Sequence, residues 1–305
     1  MSSLPPVSTT RLLGKSGIIT SSMAWGMWRF AGRSVADARA LVEAALDSGI
    51  TLLDTADIYG FDGKGGFGDA EALLGQVFAE APSLRHRMVL ATKGGIIPPL
   101  PYDNSPAYLE KALDASLKRM GIPRVDLYQI HRPDILTHPH EIAKFAEKAY
   151  ALGKIGAFGV SNYTPAQTRA LQALMPAHGI QLSTTQPEIS PLHLDAIVDR
   201  TLDIAMQHDL CPLAWSPLGG GRIANPSGDR EIAVAAAIDN VATAHGVSRT
   251  AAAYSWIMAH PSRPIPIVGS QHVDRIREAA DAYRVRWTRE NWYAVLVASR
   301  GEKLP

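Results

Sequence analysis

Short apolar runs alternate along this chain with longer stretches whose apolar positions recur at helical spacing. The runs predict strands over Ser22–Trp25, Thr51–Asp54, Met88–Thr92, Val125–Ile130, Ala157–Val160, Thr184–Glu188, Pro212–Trp215 and Ile265–Val268. Between them lie predicted helices: Val35–Ser48, Asp69–Phe78, Pro106–Met120, Glu141–Leu152, Pro165–Leu174, Leu194–His208 and Ile232–His245. Ala38, Leu41, Val42, Ala45 and Leu46 show the spacing, which gathers them on one helical face.

Eight strands separated by helices imply a parallel sheet with right-handed crossovers. Eight is also the number that closes such a sheet, so the expected fold class is α/β, a (β/α)8 TIM barrel. The expected domain organisation is a single domain over residues 1–305. Some pieces are additions to the barrel. Arg11–Leu13 and Ile18–Thr20 flank Gly14-Lys15-Ser16-Gly17 and predict an N-terminal β-hairpin. Ser248–His260 predicts a second helix before the last strand, and Arg289–Ser299 a C-terminal helix after it. Gly14-Lys15-Ser16 does not make a phosphate-binding loop, because that motif needs a glycine where Thr9 stands.

Composition narrows the function classes. A chain of 305 residues with net charge +1 and 46% hydrophobic residues can bury a large core. It has no basic excess to attract nucleic acid. Its single cysteine, Cys211, lies in an apolar run and reads as a buried small hydrophobe. No apolar run approaches a membrane span, and the N-terminus lacks a secretory pattern, so cytoplasmic residence is expected. His138-Pro139-His140 has no third ligand at a suitable spacing, so no metal site is expected.

The chemistry gathers at the strand ends. Asp54-Thr55-Ala56-Asp57-Ile58-Tyr59-Gly60 leaves an apolar strand and at once presents two carboxylates and a phenol. The third strand ends in Lys93 and the fourth in His131. In a barrel these positions share one face, where active sites are built. Asp54, Tyr59, Lys93 and His131 would therefore meet in one pocket as an acid/base group acting on a carbonyl or alcohol. A free tyrosine, with a pKa of about 10, exchanges protons poorly at neutral pH. A neighbouring ammonium lowers that value, which is the role expected of Lys93, with Asp54 holding the ammonium charged. His131 can hydrogen-bond the substrate oxygen or share the proton on the other side of Tyr59.

In order and approximate spacing, these four residues resemble the catalytic tetrad of the aldo-keto reductase superfamily. Ala24-Trp25-Gly26-Met27-Trp28, the Asp54–Gly60 segment, Gly156–Asn162 and Trp215–Gly221 resemble further segments of that family. The likeness runs from about Arg11 to about Tyr283 and is nearest to bacterial oxidoreductases with His131-Arg132-Pro133-Asp134. It implies hydride transfer between a nicotinamide dinucleotide, usually NADP(H) with NAD(H) possible, and a small carbonyl or alcohol substrate. No Gly-x-Gly-x-x-Gly follows the first strand, so the barrel loops must bind that cofactor. Gly26, Met27 and Asp54 lie at its near end. Ser161, Asn162 and Gln186 carry groups suited to a carboxamide, and Trp215 can stack on the nicotinamide. Ser216, Pro217, Leu218, Gly219, Gly221 and Arg222 can wrap the pyrophosphate. Gly269, Ser270, Gln271 and Arg275 open the last helix, where Ser270 and Arg275 match the family's contacts to the adenosine 2′-phosphate. Many members of that family carry a basic residue where Gly269 stands and an asparagine where Ala279 stands, and both are lost here.

On the substrate side stand Tyr59, His131 and Trp28. Trp28, Arg29 and Phe30, with Ile96, Ile97, Pro98, Pro99, Leu100 and Tyr102, suggest an apolar, aromatic-walled pocket. Two other readings use the same residues. Lys93 can be a Schiff-base nucleophile of an aldolase-like barrel. The barrel can also be a non-catalytic, NADP(H)-binding redox sensor.

Overall fold

Eight short strands close on themselves. They are β3 (Ala24–Gly26), β4 (Leu52–Asp54), β5 (Val89–Gly94), β6 (Val125–Ile130), β7 (Ile155–Ser161), β8 (Leu182–Gln186), β9 (Cys211–Ala214) and β10 (Ile265–Val268), and β10 pairs with both β9 and β3. All neighbours are parallel, which makes the fold a (β/α)8 TIM barrel. The preceding β1 (Thr10–Leu12) and β2 (Ile19–Ser21) form an antiparallel hairpin. The computed structural model describes residues 3–304.

Around the strands lie α1 (Val35–Asp47), α2 (Asp69–Glu80), α3 (Pro106–Met120), α4 (Pro139–Ala151), α5 (Pro165–Leu174), α6 (Asp195–Val198), α7 (Thr201–His208), α8 (Asp229–His245), α9 (Arg249–Met258), α10 (Val273–Ala279) and α11 (Arg289–Arg300). Their starts follow local chemistry. Ser105, His138 and Thr164 cap α3, α4 and α5, and each is followed by a proline at the first helical position. His138 therefore has a structural task, accepting from the His140 amide. The single helix expected over Leu194–His208 is two. Arg200 adopts φ 76°, a left-handed conformation that ends one helix and starts the next.

Strand alternation sorts the side chains. Leu52, Ala91, Leu127, Ala157, Cys211, Leu213 and Ile267 cluster inside the barrel. Leu13, from the hairpin turn, is fully buried in the same cluster and plugs that end of the barrel. Leu53, Leu90, Tyr128 and Phe158 point the other way, into the larger core between strands and helices. Elsewhere Trp256 of α9 stacks on Trp292 of α11 at 4.8 Å between centroids, and each indole donates to the other's carbonyl. Among the described residues no helix is long and apolar enough to cross a membrane.

Candidate active site

Two residues beyond Leu52, Ala91 and Leu127, the same inward faces carry Asp54, Lys93 and Gln129. The apolar layer thus gives way to a polar one. Register supports this: Asp54 lies beside Gly26 and Ala91, and Lys93 beside Gln129. Lys93 is inside β5 rather than just past it, and is fully buried. Its ammonium donates to Asp54 Oδ2 at 2.6 Å and to the Thr55 carbonyl at 2.8 Å. Asp54 Oδ1 accepts from Gln186 at 3.1 Å and from Gln129 at 3.5 Å, while Thr184 donates to Gln129 at 3.0 Å. Asp54 is therefore fixed from three sides.

Beyond β4 the chain keeps pairing with β5. The Thr55 and Asp57 amides donate to the carbonyls of Ala91 and Lys93 at 2.9 and 3.0 Å. The turn that follows brings Tyr59 over the buried pair, with Lys93 Nζ 5.1 Å from the phenol ring centroid. His131, just past β6, stands edge-on to Tyr59 at 5.8 Å between centroids. Its amide donates to the Gly94 carbonyl at 2.9 Å, and its carbonyl accepts from Asn162 at 3.1 Å. The structure thus brings together Asp54, Tyr59, Lys93 and His131.

Burial governs the electrostatics here. It depresses the Lys93 ammonium, but the charge of Asp54 and then the field of Tyr59 outweigh it and raise the pKa. Lys93 is therefore a fixed cation. Burial also raises Tyr59; Lys93 pulls in the opposite direction and Asp54 reinforces the rise. The expected acidification of Tyr59 is not the net result in the free protein. Lys93 limits a rise caused by desolvation instead of producing a low value. His131 is pushed well below the ordinary histidine range by burial, then by Lys93 and Arg132. It is neutral near pH 7, and its Nδ1 is buried without a partner.

The residues expected near a cofactor fall into three groups. Ser161, Asn162 and Gln186 sit together at the ends of β7 and β8, but they already bind one another and the tetrad. Ser161 donates to the Gln186 carbonyl at 2.9 Å, and Asn162 donates to Ser161 Oγ at 2.8 Å. Asn162 also accepts from the Trp215 indole at 3.0 Å, which fixes that half-buried ring at the barrel mouth. After it, Ser216 adopts φ 51° and accepts from the Gly220 amide at 2.9 Å. Gly219, Gly220 and Gly221 all have positive φ, a backbone path that favours glycine. Pro217 is buried, and Arg222 is tied to the Gly219 carbonyl at 2.8 Å and faces Glu231 at 3.5 Å. In the third group, Gln271 donates to the Gly26 carbonyl at 3.0 Å and leaves its own buried Oε1 unpaired. The Ser270 carbonyl accepts from Trp25 at 2.9 Å. Arg275 is exposed, with no ion pair among the described residues. Gly269 is exposed as well.

Two residues belong to the core rather than to a pocket. Met27 is fully buried and packs in the core between strands and helices. Phe30 is also fully buried, edge-on to Trp25 at 5.6 Å, and is not a pocket wall. Trp28 is 65% exposed at the mouth with the Arg29 guanidinium 5.0 Å above its ring. Sequence reasoning passed over Gln129 and Thr184. The signal of Gln129 was present, a polar residue two positions beyond the interior Leu127. Thr184 carries none, because Leu182, two positions before it, packs in the outer core and the register shifts between them.

A sequence model of the Aldo/keto reductase family matches residues 22–296. The chain is 60% identical over 307 aligned positions to a 6-dehydroglucose reductase of Novosphingobium aromaticivorans, covering 100% of both proteins. It is 36% identical to a 6-dehydroglucose reductase of Agrobacterium fabrum over 93% of this chain and 96% of that one. An aldo-keto reductase of Schizosaccharomyces pombe named for NADP(+) is 28% identical over 81% of this chain and 78% of its own length. Together with the closed barrel and the tetrad at its mouth, these matches make the protein an oxidoreductase acting on carbonyl compounds, and the chain belongs to the aldo/keto reductase family.

Proposed function

We propose that the protein reduces the aldehyde of a 6-dehydroglucose-type sugar to the alcohol, using NADPH, with Tyr59 as general acid. The observation that carries this reading is the buried Lys93–Asp54 pair beneath Tyr59, with neutral His131 beside the phenol. The substrate follows from the names of two relatives, one of them 60% identical over its whole length. The residues fit a nicotinamide nucleotide. The half-buried Trp215 ring, the glycine turn after it and the unpaired Gln271 Oε1 lie on the loops expected to receive one.

When bound, such a nucleotide supplies a hydride from its nicotinamide. Trp215 would hold that ring, the Ser216–Arg222 turn the phosphates, and Ser270 with Arg275 the adenosine end. Gln186 Oε1 has no protein partner among the described residues and can accept from the carboxamide. The protein's own task is the proton. Tyr59 keeps its proton at neutral pH, the form needed to donate to an oxygen that gains negative charge. Lys93 stabilises the phenolate left behind, and Asp54 keeps Lys93 in place and charged. Neutral His131 orients the carbonyl by hydrogen bond without competing as an acid. The same facts disfavour a Schiff-base role for Lys93, since a nucleophilic amine must be neutral.

Purified protein is expected to consume NADPH when given 6-dehydroglucose. Tyr59→Phe should bind NADPH normally, while hydride transfer in a single turnover falls about 10²–10⁴-fold. Lys93→Met should be comparably damaging. Absence of NADPH and NADH consumption with aldehydes would overturn the reading; a Tyr59→Phe enzyme at the unmodified rate would remove Tyr59 from the mechanism.

A further inference from the structure

Arg132 follows His131 at the mouth of the barrel. Its guanidinium lies 5.9 Å from the centroid of the Trp215 ring. Its charge reaches both Tyr59 and His131, lowering the pKa of each. The side chain is half-buried, yet among the described residues it makes no ion pair and donates no hydrogen bond. Its neighbour Asp134 is unavailable, because that carboxylate accepts from Asn104, Leu136 and Thr137. The Arg132 backbone is held in place, its carbonyl accepting from Asn104 at 2.9 Å. Three other arginines of the chain are engaged: Arg119 with Glu71, Arg249 with Asp239, and Arg230 with the carbonyls of Leu192 and Ser299. A half-buried guanidinium with five idle donors beside a reacting centre is poised for oxygen acceptors brought by a ligand.

We infer that Arg132 is a specificity-determining residue that hydrogen-bonds the hydroxyl oxygens next to the substrate's aldehyde, selecting hydroxyaldehydes over plain aldehydes. This rests on the reductase reading above. Tyr59 and His131 address only the carbonyl oxygen and cannot tell these substrates apart. Trp28 and Leu100 are exposed apolar side chains on the loops after β3 and β5, and Arg29, the other cation at the mouth, is exposed and lies over the Trp28 ring. A site that holds a donor for a substrate oxygen discriminates strongly against the analogue lacking it.

The test pairs glyceraldehyde with propanal, which differ only in two hydroxyls, and adds 6-dehydroglucose. The readout is the ratio of kcat/KM for a hydroxyaldehyde to kcat/KM for propanal, with NADPH saturating. Any general effect of the arginine's field on Tyr59 or His131 acts on both substrates and cancels in the ratio. Arg132→Met is expected to lower the ratio about tenfold to a hundredfold, mainly through KM for the hydroxyaldehyde. Arg132→Lys, which keeps charge but loses the planar fork, should recover part of it. NADPH titration of each variant by tryptophan fluorescence reports folding and cofactor binding. An unchanged ratio, or a loss that appears as weaker NADPH binding, would overturn the assignment while leaving the reductase reading intact. A native enzyme that turns over none of the three aldehydes would overturn both.

Discussion

Asp57 shows how a single residue can carry information that sequence does not. It stands three residues from Asp54 in the same segment, and the two carboxylates look alike in the chain. Asp54 is tied to Lys93, Gln186 and Gln129. Asp57 is 1% exposed, and neither of its oxygens has a hydrogen-bonding partner. Burial and then the neighbouring Glu71 push its pKa well above the ordinary 3.8, against weaker opposition from the Arg119 charge, the nearby Ile58 amide and the Lys93 charge. Spacing was enough to bring Asp54, Tyr59, Lys93 and His131 together, because strand ends share a face. The protonation states depend on three-dimensional burial, which outweighs the lowering effect of Lys93 on Tyr59 and has no mark in the sequence. For Asp57 the sign is explicit. The fold retains a proton that the unfolded chain releases near pH 4, so the contribution to stability falls as pH rises above that value. Asp57→Asn removes the ionisable proton and keeps the shape. Its Tm relative to the native protein should therefore rise from pH 4 to pH 8. A Tm difference that stays constant across that range would show that Asp57 does not hold its proton.

At the scale of elements, what was legible depended on period and caps. The barrel strands were readable as apolar runs because buried parallel strands need not alternate. Proline at the first position of α3, α4 and α5 marked their starts. The break between α6 and α7 was not readable, because left-handed Arg200 has no side-chain signature, unlike a glycine or an asparagine. Contacts between elements were also hidden. Gly94 at the end of β5 is an example: a Cβ there would overlap the Tyr128 hydroxyl from β6 and lie 3.3 Å from Asp57 Oδ2. The glycine lets β5, β6 and the Asp54–Tyr59 segment close up behind Lys93. Gly94→Ala should therefore overpack this seam and cost about 1–3 kcal/mol. The Tyr128 hydroxyl is buried and unpartnered, so Tyr128→Phe should be neutral or stabilising and should recover much of the loss in the double variant. Urea midpoints measure all three. A double variant no more stable than Gly94→Ala alone would show that the hydroxyl is not what the glycine accommodates.

For the molecule as a whole, the barrel divides its labour between ends. The hairpin and Leu13 close one end with apolar packing, and the loops after the strands build the site at the other. Ligand binding at that mouth should therefore be read by the stability of the entire fold. A ligand at about 100 times its Kd adds about 2.7 kcal/mol to the native state, provided the unfolded chain does not bind it. NADPH and NADH differ only at the adenosine 2′ position, so the difference between their Tm shifts isolates the groups that meet that phosphate. Arg275 is exposed and without an ion pair among the described residues, free to meet it. Its guanidinium can bind a phosphate through two parallel hydrogen bonds. At equal concentrations NADPH should raise Tm more than NADH, and Arg275→Ala should bring the NADPH shift down towards that of NADH. Gly269 offers the opposite change. It is exposed, its φ is not in the left-handed region, and a Cβ there would meet no atom within 4 Å. Gly269→Lys should therefore be tolerated and, by placing an ammonium just before the start of α10, should widen the NADPH advantage by about tenfold in Kd. Equal shifts by the two nucleotides in the native protein, left equal by Gly269→Lys, would place the 2′-phosphate away from the start of α10.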